Sequence, residues 1–425
     1  MKRTGWVLAA MAVVVLGVPA IGQGKGVPAS LVWSQSRGGP TMTFYDFGPR
    51  HAGSRVSRGF RLGDLNGTRS GKLTVKLTGS SAFSITSDRC VKKVVGKNLS
   101  CWVGVAYSPV AAPGVAGASD SATLTATGKN GAHASLRLGV GHLYWTGFID
   151  GSGNSVPSGG GSVTTLFGGQ NRPGAVAVSD THFIWTDYGD GEIKEAPLGG
   201  GGGQTILVSG QSGPRAVAVD GTHLYWVDDV TGTVNEMPLG GGKVTRLASN
   251  QDAPNSVAVD GTHVYWTEGP SGTVKEAPLG GGPVKTLASN QNAPRSVVVD
   301  STHVYWVNLE GGTVKSVPLG GGKVTTIASG QIRPTSVAVI RGHVVWVSAG
   351  DGAGDGTVNE ALPGGGNWNI LASGQGGPGA VAVDDTHAYW LDYTSGTVNA
   401  VPLGGGNVTT LASGQSGPYS LAVGP

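Results

Sequence analysis

The stretch Val257-Ala258-Val259-Asp260-Gly261-Thr262-His263-Val264-Tyr265-Trp266-Thr267-Glu268 decides the fold. Its His-x-x-Trp phrase returns at His142–Trp145, His182–Trp185, His223–Trp226, His263–Trp266, His303–Trp306, His343–Trp346 and His387–Trp390. The spacing stays close to 40 residues until a last interval of 44. A fixed period of this size marks a repeat architecture. A residue that recurs in every repeat is there because every repeat needs it to fold, which argues against a catalytic role for the recurrent residues.

Each repeat holds four short strand candidates. In the quoted one they are Val257–Val259, His263–Thr267, Gly272–Ala277 and Val284–Ala288. The joints, Asp260-Gly261, Pro270-Ser271-Gly272, Gly280-Gly281-Gly282 and Asn290-Gln291, are turn chemistry. Four antiparallel strands in about 40 residues make one propeller blade. The second-strand phrase, the fourth-strand phrase (Val163-Thr164-Thr165-Leu166 to Val408-Thr409-Thr410-Leu411) and the first-strand phrase (Val176 onward to Leu421-Ala422-Val423) each occur seven times. The first blade therefore lacks its innermost strand and the chain ends with a spare. Seven blades, closed by the C-terminal strand 421–423, is the expected ring. At Trp185-Thr186-Asp187 the repeats resemble Tyr-Trp-Thr-Asp propellers, which implies six blades as the alternative.

The chain has 425 residues with 76 Gly, 13% charged residues and a formal charge of +3. So much Gly with so few charges fits short strands joined by tight turns, not helices. No dense basic stripe is evident, and no nucleic-acid partner is expected. Lys2-Arg3, the apolar run Trp6–Val18 and small residues near Ala20 and Gly22 read as a signal peptide over residues 1–22, with a linker at 23–30. Secretion or cell-surface display, as a monomer without a membrane span in the mature chain, is the expectation. In an exported protein the pair Cys90 and Cys101 reads as one disulfide.

Residues 31–140 lack the period. Leu73-x-Val75-x-Leu77, Cys101-x-Val103-x-Val105-x-Tyr107, Ala122-x-Leu124-x-Ala126 and Leu136-x-Leu138-x-Val140 alternate apolar with polar positions. Such alternation reads as half-buried strands of an antiparallel β-sandwich. Tyr45-Asp46-Phe47-Gly48, Leu77-Thr78-Gly79-Ser80, Ala82-Phe83-Ser84-Ile85, Asp88-Arg89-Cys90, Ser100-Cys101-Trp102-Val103, Tyr107-Ser108-Pro109 and Ala122–Ala126 occur in order. As a set they resemble the Hydin-type, immunoglobulin-like domain called choice-of-anchor D. Leu62-Gly63-Asp64-Leu65 departs from that pattern. The resemblance implies a spacer or adhesion module without catalytic residues. The expected fold is thus all-β: an immunoglobulin-like sandwich over 31–140, then a propeller over 141–425.

Function is expected where the repeats differ. The position after the repeat Pro reads Gly174, Arg215, Asn255, Arg295, Thr335, Gly379 and Tyr419, which should ring the channel mouth. Asp187, Asp190, Asp228, Asp229, Glu268, Glu310, Asp351, Asp355 and Asp392 should form an acidic rim around it. The recurrent His residues are spread one per blade, so they hold turns instead of converging on a metal. No metal and no cofactor is expected. The Pro-Leu-Gly-Gly-Gly phrase precedes a strand and is a turn, not a phosphate loop. Streptogramin lyases, whose repeats this region resembles, use a top-face His and Glu with Mg²⁺. Here every repeat His lies at the opposite end of its strand. A secreted binding or adhesion protein with a protein or carbohydrate ligand is the leading reading. An extracellular lyase or hydrolase working at the acidic rim, and a purely structural envelope protein, are the alternatives.

Overall fold

The second strand of every blade is buried on both faces, because each blade is stacked between two others; Trp145, Trp185, Trp226, Trp266, Trp306, Trp346 and Trp390 all have no exposed surface. The computed structural model describes residues 31–34, 44–46, 56–64, 70, 72–79, 83–95, 99–107, 121–128, 132–139, 141–352 and 354–424. The segments read as signal and linker, 1–22 and 23–30, lie outside them. Every described element is a strand or a short turn. The described residues divide into two compact units, one up to Gly141 together with Pro157–Gly159, the other His142–Val156 and Gly160–Gly424.

Among its described residues the first unit has eight strands: β1 (Leu31–Ser34), β2 (Phe44–Asp46), β3 (Val56–Asp64), β4 (Thr74–Gly79), β5 (Phe83–Asp88), β6 (Cys101–Tyr107), β7 (Ser121–Thr127) and β8 (His133–Gly139). They form two sheets, ordered β1-β3-β6-β5 and β2-β8-β7-β4. All pairings are antiparallel except β2 with β8. Trp33, Phe60, Leu62 and Val103 of one sheet share a single core with Leu124, Ala126 and Leu136 of the other. The alternation seen in the sequence supplies these inward residues. Cys90 and Cys101 are disulfide-bonded.

The second unit is a propeller of seven four-stranded sheets. Seven, not six, is the outcome. Each of blades two to seven runs from an inner strand that begins at the repeat Pro to an outer strand; in blade four these are Pro254–Val259, His263–Glu268, Thr273–Pro278 and Lys285–Ala288. Blade one has His142–Gly147, Ser152–Pro157 and Thr164–Phe167, and takes Pro418–Gly424 as its inner strand. That strand pairs Leu421 with Trp145 and Val423 with Leu143. It lies against the inner strands of both blade two and blade seven, so the ring has no open seam.

Neighbouring blades share apolar cores. Tyr265, Val274 and Leu287 of blade four pack with Val297, Val304 and Trp306 of blade five. Burying one such side chain is worth roughly 1.5–3 kcal/mol. The blades are also tied by backbone. Gln291 N donates to Gly272 O at 2.9 Å. Gly272 sits at φ 64° with the Gln291 carbonyl where a Cβ would be, so only Gly fits.

Candidate binding face of the propeller

Two variable positions meet at one end of each blade. In six of the seven blades the residue after the second strand donates its backbone N–H to the carbonyl of the residue before the repeat Pro. The pairs are Phe148 to Gly417, Tyr188 to Arg172, Asp229 to Gly213, Leu309 to Ala293, Ala349 to Arg333 and Tyr393 to Gly377, at 2.9–3.3 Å. The bond uses only backbone, so the side chains are released from any duty to the blade. This face is also where the loops joining second to third and fourth to first strands come together, as the repeat pattern implies.

The side chains there differ around the ring. Blades seven, one and two, which adjoin, carry Tyr393, Phe148 and Tyr188 after the second strand; the other four carry Asp229, Gly269, Leu309 and Ala349. Phe148 stacks on Tyr419, ring centres 5.2 Å apart. The Arg172 guanidinium lies over Phe148 at 5.6 Å, and that of Arg215 over Tyr188 at 6.0 Å. Gly417 lies between Ile149 and Tyr393; a Cβ there would be 2.7 Å from one and 3.3 Å from the other. Ile149 is 66% exposed and Val230 65% exposed. Tyr393, Ile149, Phe148, Tyr419 and Arg172 thus form one arc. Arg172 holds φ 61° where blades seven and one have Gly377 and Gly417, a conformation that costs a residue with a Cβ about 1–2 kcal/mol.

The residues picked from the sequence divide into three sorts. Arg215 and Tyr419 belong to this face by the contacts just given, and Arg295 is exposed. Asn255 and Thr335 are occupied with the ring itself, donating to the carbonyls of Pro294 and Pro378 in the following blades at 3.2 and 3.1 Å. The acidic rim is corrected: Asp187, Asp228, Glu268 and Asp392 are buried. Their oxygens hold loops. Asp228 accepts from the amides of Ser212, Gly213, Val230 and Thr231. Asp392 accepts from Gly376 and Ser395. Glu268 accepts from Trp266, Ser271, Thr273 and Lys275. Asp187 is paired with Lys194 at 2.9 Å. Burial pulls the Lys194 ammonium down, but Glu192 and Asp187 outweigh it and hold it above the ordinary lysine range. A second strand that ends in a carboxylate points it among the loops gathered at that end of the blade, where unpaired amides wait. Asp355 likewise accepts from Asp351 and Gly352 amides, closing its own loop.

Asp229 is half-buried beside Arg215; its Oδ1, like that of Asp187, has no hydrogen-bond partner, and burial raises both carboxyls above the usual range, against the charge of Arg215 in one case and of Lys194 in the other. The repeat His residues sit at the opposite face, where Nδ1 of His263 hydrogen-bonds with Thr262 at 2.8 Å and its amide is held by Asp260. Among the described residues no group of three or more His, Cys, Asp or Glu is arranged to hold a metal ion. On that same opposite face a cavity of about 290 Å³ between blades two and three is lined by Asp180, His182, Glu195 and Asp220.

Nothing in the sequence reading singled out Phe148, Tyr188 or Tyr393. The signal was available: it is the residue six places after each repeat His, aromatic in three of seven repeats.

No family model matches the chain, and no curated protein matches it. Solved structures match by fold. A streptogramin B lyase is 13% identical, with 59% of this chain and 86% of that chain covered and a TM-score of 0.51. A functionally unknown protein from Desulfotomaculum acetoxidans DSM 771 is 12% identical, with 67% and 98% covered and a TM-score of 0.53. The computationally designed Ika8 protein is 19% identical, with 64% and 84% covered and a TM-score of 0.51. At these identities the likeness is one of fold: a β-propeller. Among the described residues no helix is long and apolar enough to cross a membrane.

Proposed function

We propose that this is an exported, non-enzymatic binding protein whose propeller offers the arc over blades seven, one and two to a protein partner. The observation that carries the reading is the run of Tyr393, Phe148 and Tyr188 in adjoining blades, at a position the blade leaves free. Tyrosine and arginine beside exposed aliphatics such as Ile149 are the composition of a protein-binding hot spot. A sugar site has less use for Ile149 and Val230. Against the lyase or hydrolase reading, the buried carboxylates Asp187, Asp228, Glu268 and Asp392 are engaged by loop amides, hydroxyls and lysines.

The first unit is read as an immunoglobulin-like domain. In support, the sheet orders β1-β3-β6-β5 and β2-β8-β7-β4 correspond to A-B-E-D and A′-G-F-C when β1 and β2 are taken as the first strand split between the sheets and β3 to β8 as B to G. It departs from antibody domains in its disulfide, which joins the β5–β6 loop to β6 within one sheet. A disulfide belongs to an oxidising compartment, in keeping with export to the medium or the cell surface.

The test is photo-crosslinking in cultures of the producing cell, with the cross-linking residue at position 149 or 393. A discrete protein adduct from both, absent with the residue at Ile206 on an outer strand, is expected. Adducts equal at all three positions would overturn the reading.

A further inference from the structure

The formal charge of +3 conceals two opposite halves. Residues 31–140 contain 14 Lys and Arg against 4 Asp and Glu, a net charge of +10; residues 141–425 contain 12 against 22, a net charge of −10. A mere spacer has no need of +10 in 110 residues, and self-repulsion of that size costs stability. Of the described cations, Lys72, Lys76, Arg89, Lys92 and Lys93 are exposed and lack carboxylate partners. Such a field selects an anionic partner.

One face of this domain has chemistry to match. Along β6 the side chains of Cys101, Val103 and Val105 turn inward, so Trp102 and Gly104 turn outward. Trp102 remains 40% exposed. Directly across on β3 stand Arg61, opposite Trp102, and Gly59, opposite Gly104. The Trp102 ring lies across Gly59, 3.5 Å from where a Cβ would be. Gly59 gives the indole room to lie flat on the sheet, and over Gly104 stand the hydroxyls of Thr86 and Ser87, each 2.6 Å from where a Cβ would be. Arg61 Nε donates to Ser100 Oγ at 2.7 Å, which fixes the guanidinium beside the indole. Arg89 is on the same strip, its amide bonded to the Trp102 carbonyl at 2.9 Å.

An exposed indole lying flat on the sheet stacks a sugar ring, the neighbouring hydroxyls bond its hydroxyls, and arginine forks take a carboxylate or sulfate. We propose that the outer face of the β1-β3-β6-β5 sheet binds an acidic polysaccharide, with Trp102 as the stacking platform and Arg61 and Arg89 as the anion contacts. This site is separate from the propeller arc, and either can stand without the other. A nucleic acid or an anionic membrane would use the charge but gain little from a single indole lying flat on the sheet.

The full chain is titrated with polygalacturonate, heparin, neutral dextran, duplex DNA and vesicles of anionic lipid. Expected are binding of polygalacturonate or heparin that weakens steeply with salt, and none of dextran. Trp102→Ala should reduce affinity for the bound polysaccharide about tenfold with an unchanged melting temperature. Arg61→Gln/Arg89→Gln should reduce it and flatten the salt dependence, as lost ion contacts do. A Trp102→Ala protein that melts early is replaced by Trp102→Phe, for which a smaller loss at native stability supports the site. The proposal is overturned if neither acidic polysaccharide binds at low salt. It is equally overturned if both variants bind as wild type, or if DNA or vesicles bind tighter than either polysaccharide.

Discussion

The Tyr265 phenol donates to Asp260 Oδ2 at 2.8 Å, while Oδ1 of the same carboxylate takes the amides of Thr262 and His263. The arrangement recurs at Tyr225 with Asp220, Tyr305 with Asp300 and Tyr389 with Asp384. In two of the blades that lack the aspartate the tyrosine is missing too: blade two has Ser179 with Ile184, and blade six has Ile340 with Val345, while blade one keeps Tyr144 with Gly139 in the aspartate's place. A buried hydroxyl without an acceptor costs more than no hydroxyl at all.

That pairing predicts a coupled double variant. Asp260→Ala strands both the phenol and the turn amides, and should cost about 1–3 kcal/mol. Tyr265→Phe should cost about 1 kcal/mol. The double variant should cost less than the sum of the two in urea unfolding. Additive costs would mean the bond contributes nothing.

Glu268 gives a pH dependence of definite sign. Burial opposes its ionisation, but Lys275, Ser271, Thr273 and Trp266 outweigh that and lower its pKa below the usual 4.5. A lowered carboxyl pKa contributes stability above the unfolded value, which is lost as pH falls from there through the folded value. Urea unfolding should therefore show a steeper acid loss for wild type than for Glu268→Gln below about pH 4.5. Parallel curves would contradict the assignment.

Ring closure is tested by truncation. Removing residues 418–425 takes the inner strand from blade one and bares Leu143 and Trp145. We expect the propeller to melt at least 10 °C lower, since roughly 2–4 °C accompanies each kcal/mol in a domain of this size. Unchanged melting would mean that another strand fills the seam.

Arg172→Gly separates stability from binding. Glycine relieves the φ of 61° at that position but adds unfolded-chain freedom, so stability should rise by no more than about 1 kcal/mol. Cross-linking at position 149 should fall in the same variant. A loss of stability would show that the Arg172–Phe148 contact holds the fold.

The blades, their number and the closing strand were legible because each is written seven times over: a repeat that cannot bury its own face must stack on its neighbours. The disulfide was legible from two cysteines eleven residues apart. The binding arc was not. Asp228 ends a buried strand and Tyr188 follows one, and nothing local tells that the carboxylate turns into the loops while the ring stays half out. The +10 domain was plain in the composition, but invisible in the chain-wide total.

Sequence alone thus determined the architecture, since period, turn residues and apolar alternation are local and additive. Tertiary structure decided which side chains face outward, because that depends on what lies opposite. Gly153 stands where other blades have Ile193, Val234, Val274, Val314, Val358 or Val398, and alone reads as a defect. Paired across the sheet with Phe167, whose counterparts are Val208 and five alanines, it is the space that the phenyl ring fills. The same ring stacks on Trp185 with centres 3.8 Å apart. Volume is conserved between two strands and not within either, so only their packing could reveal it.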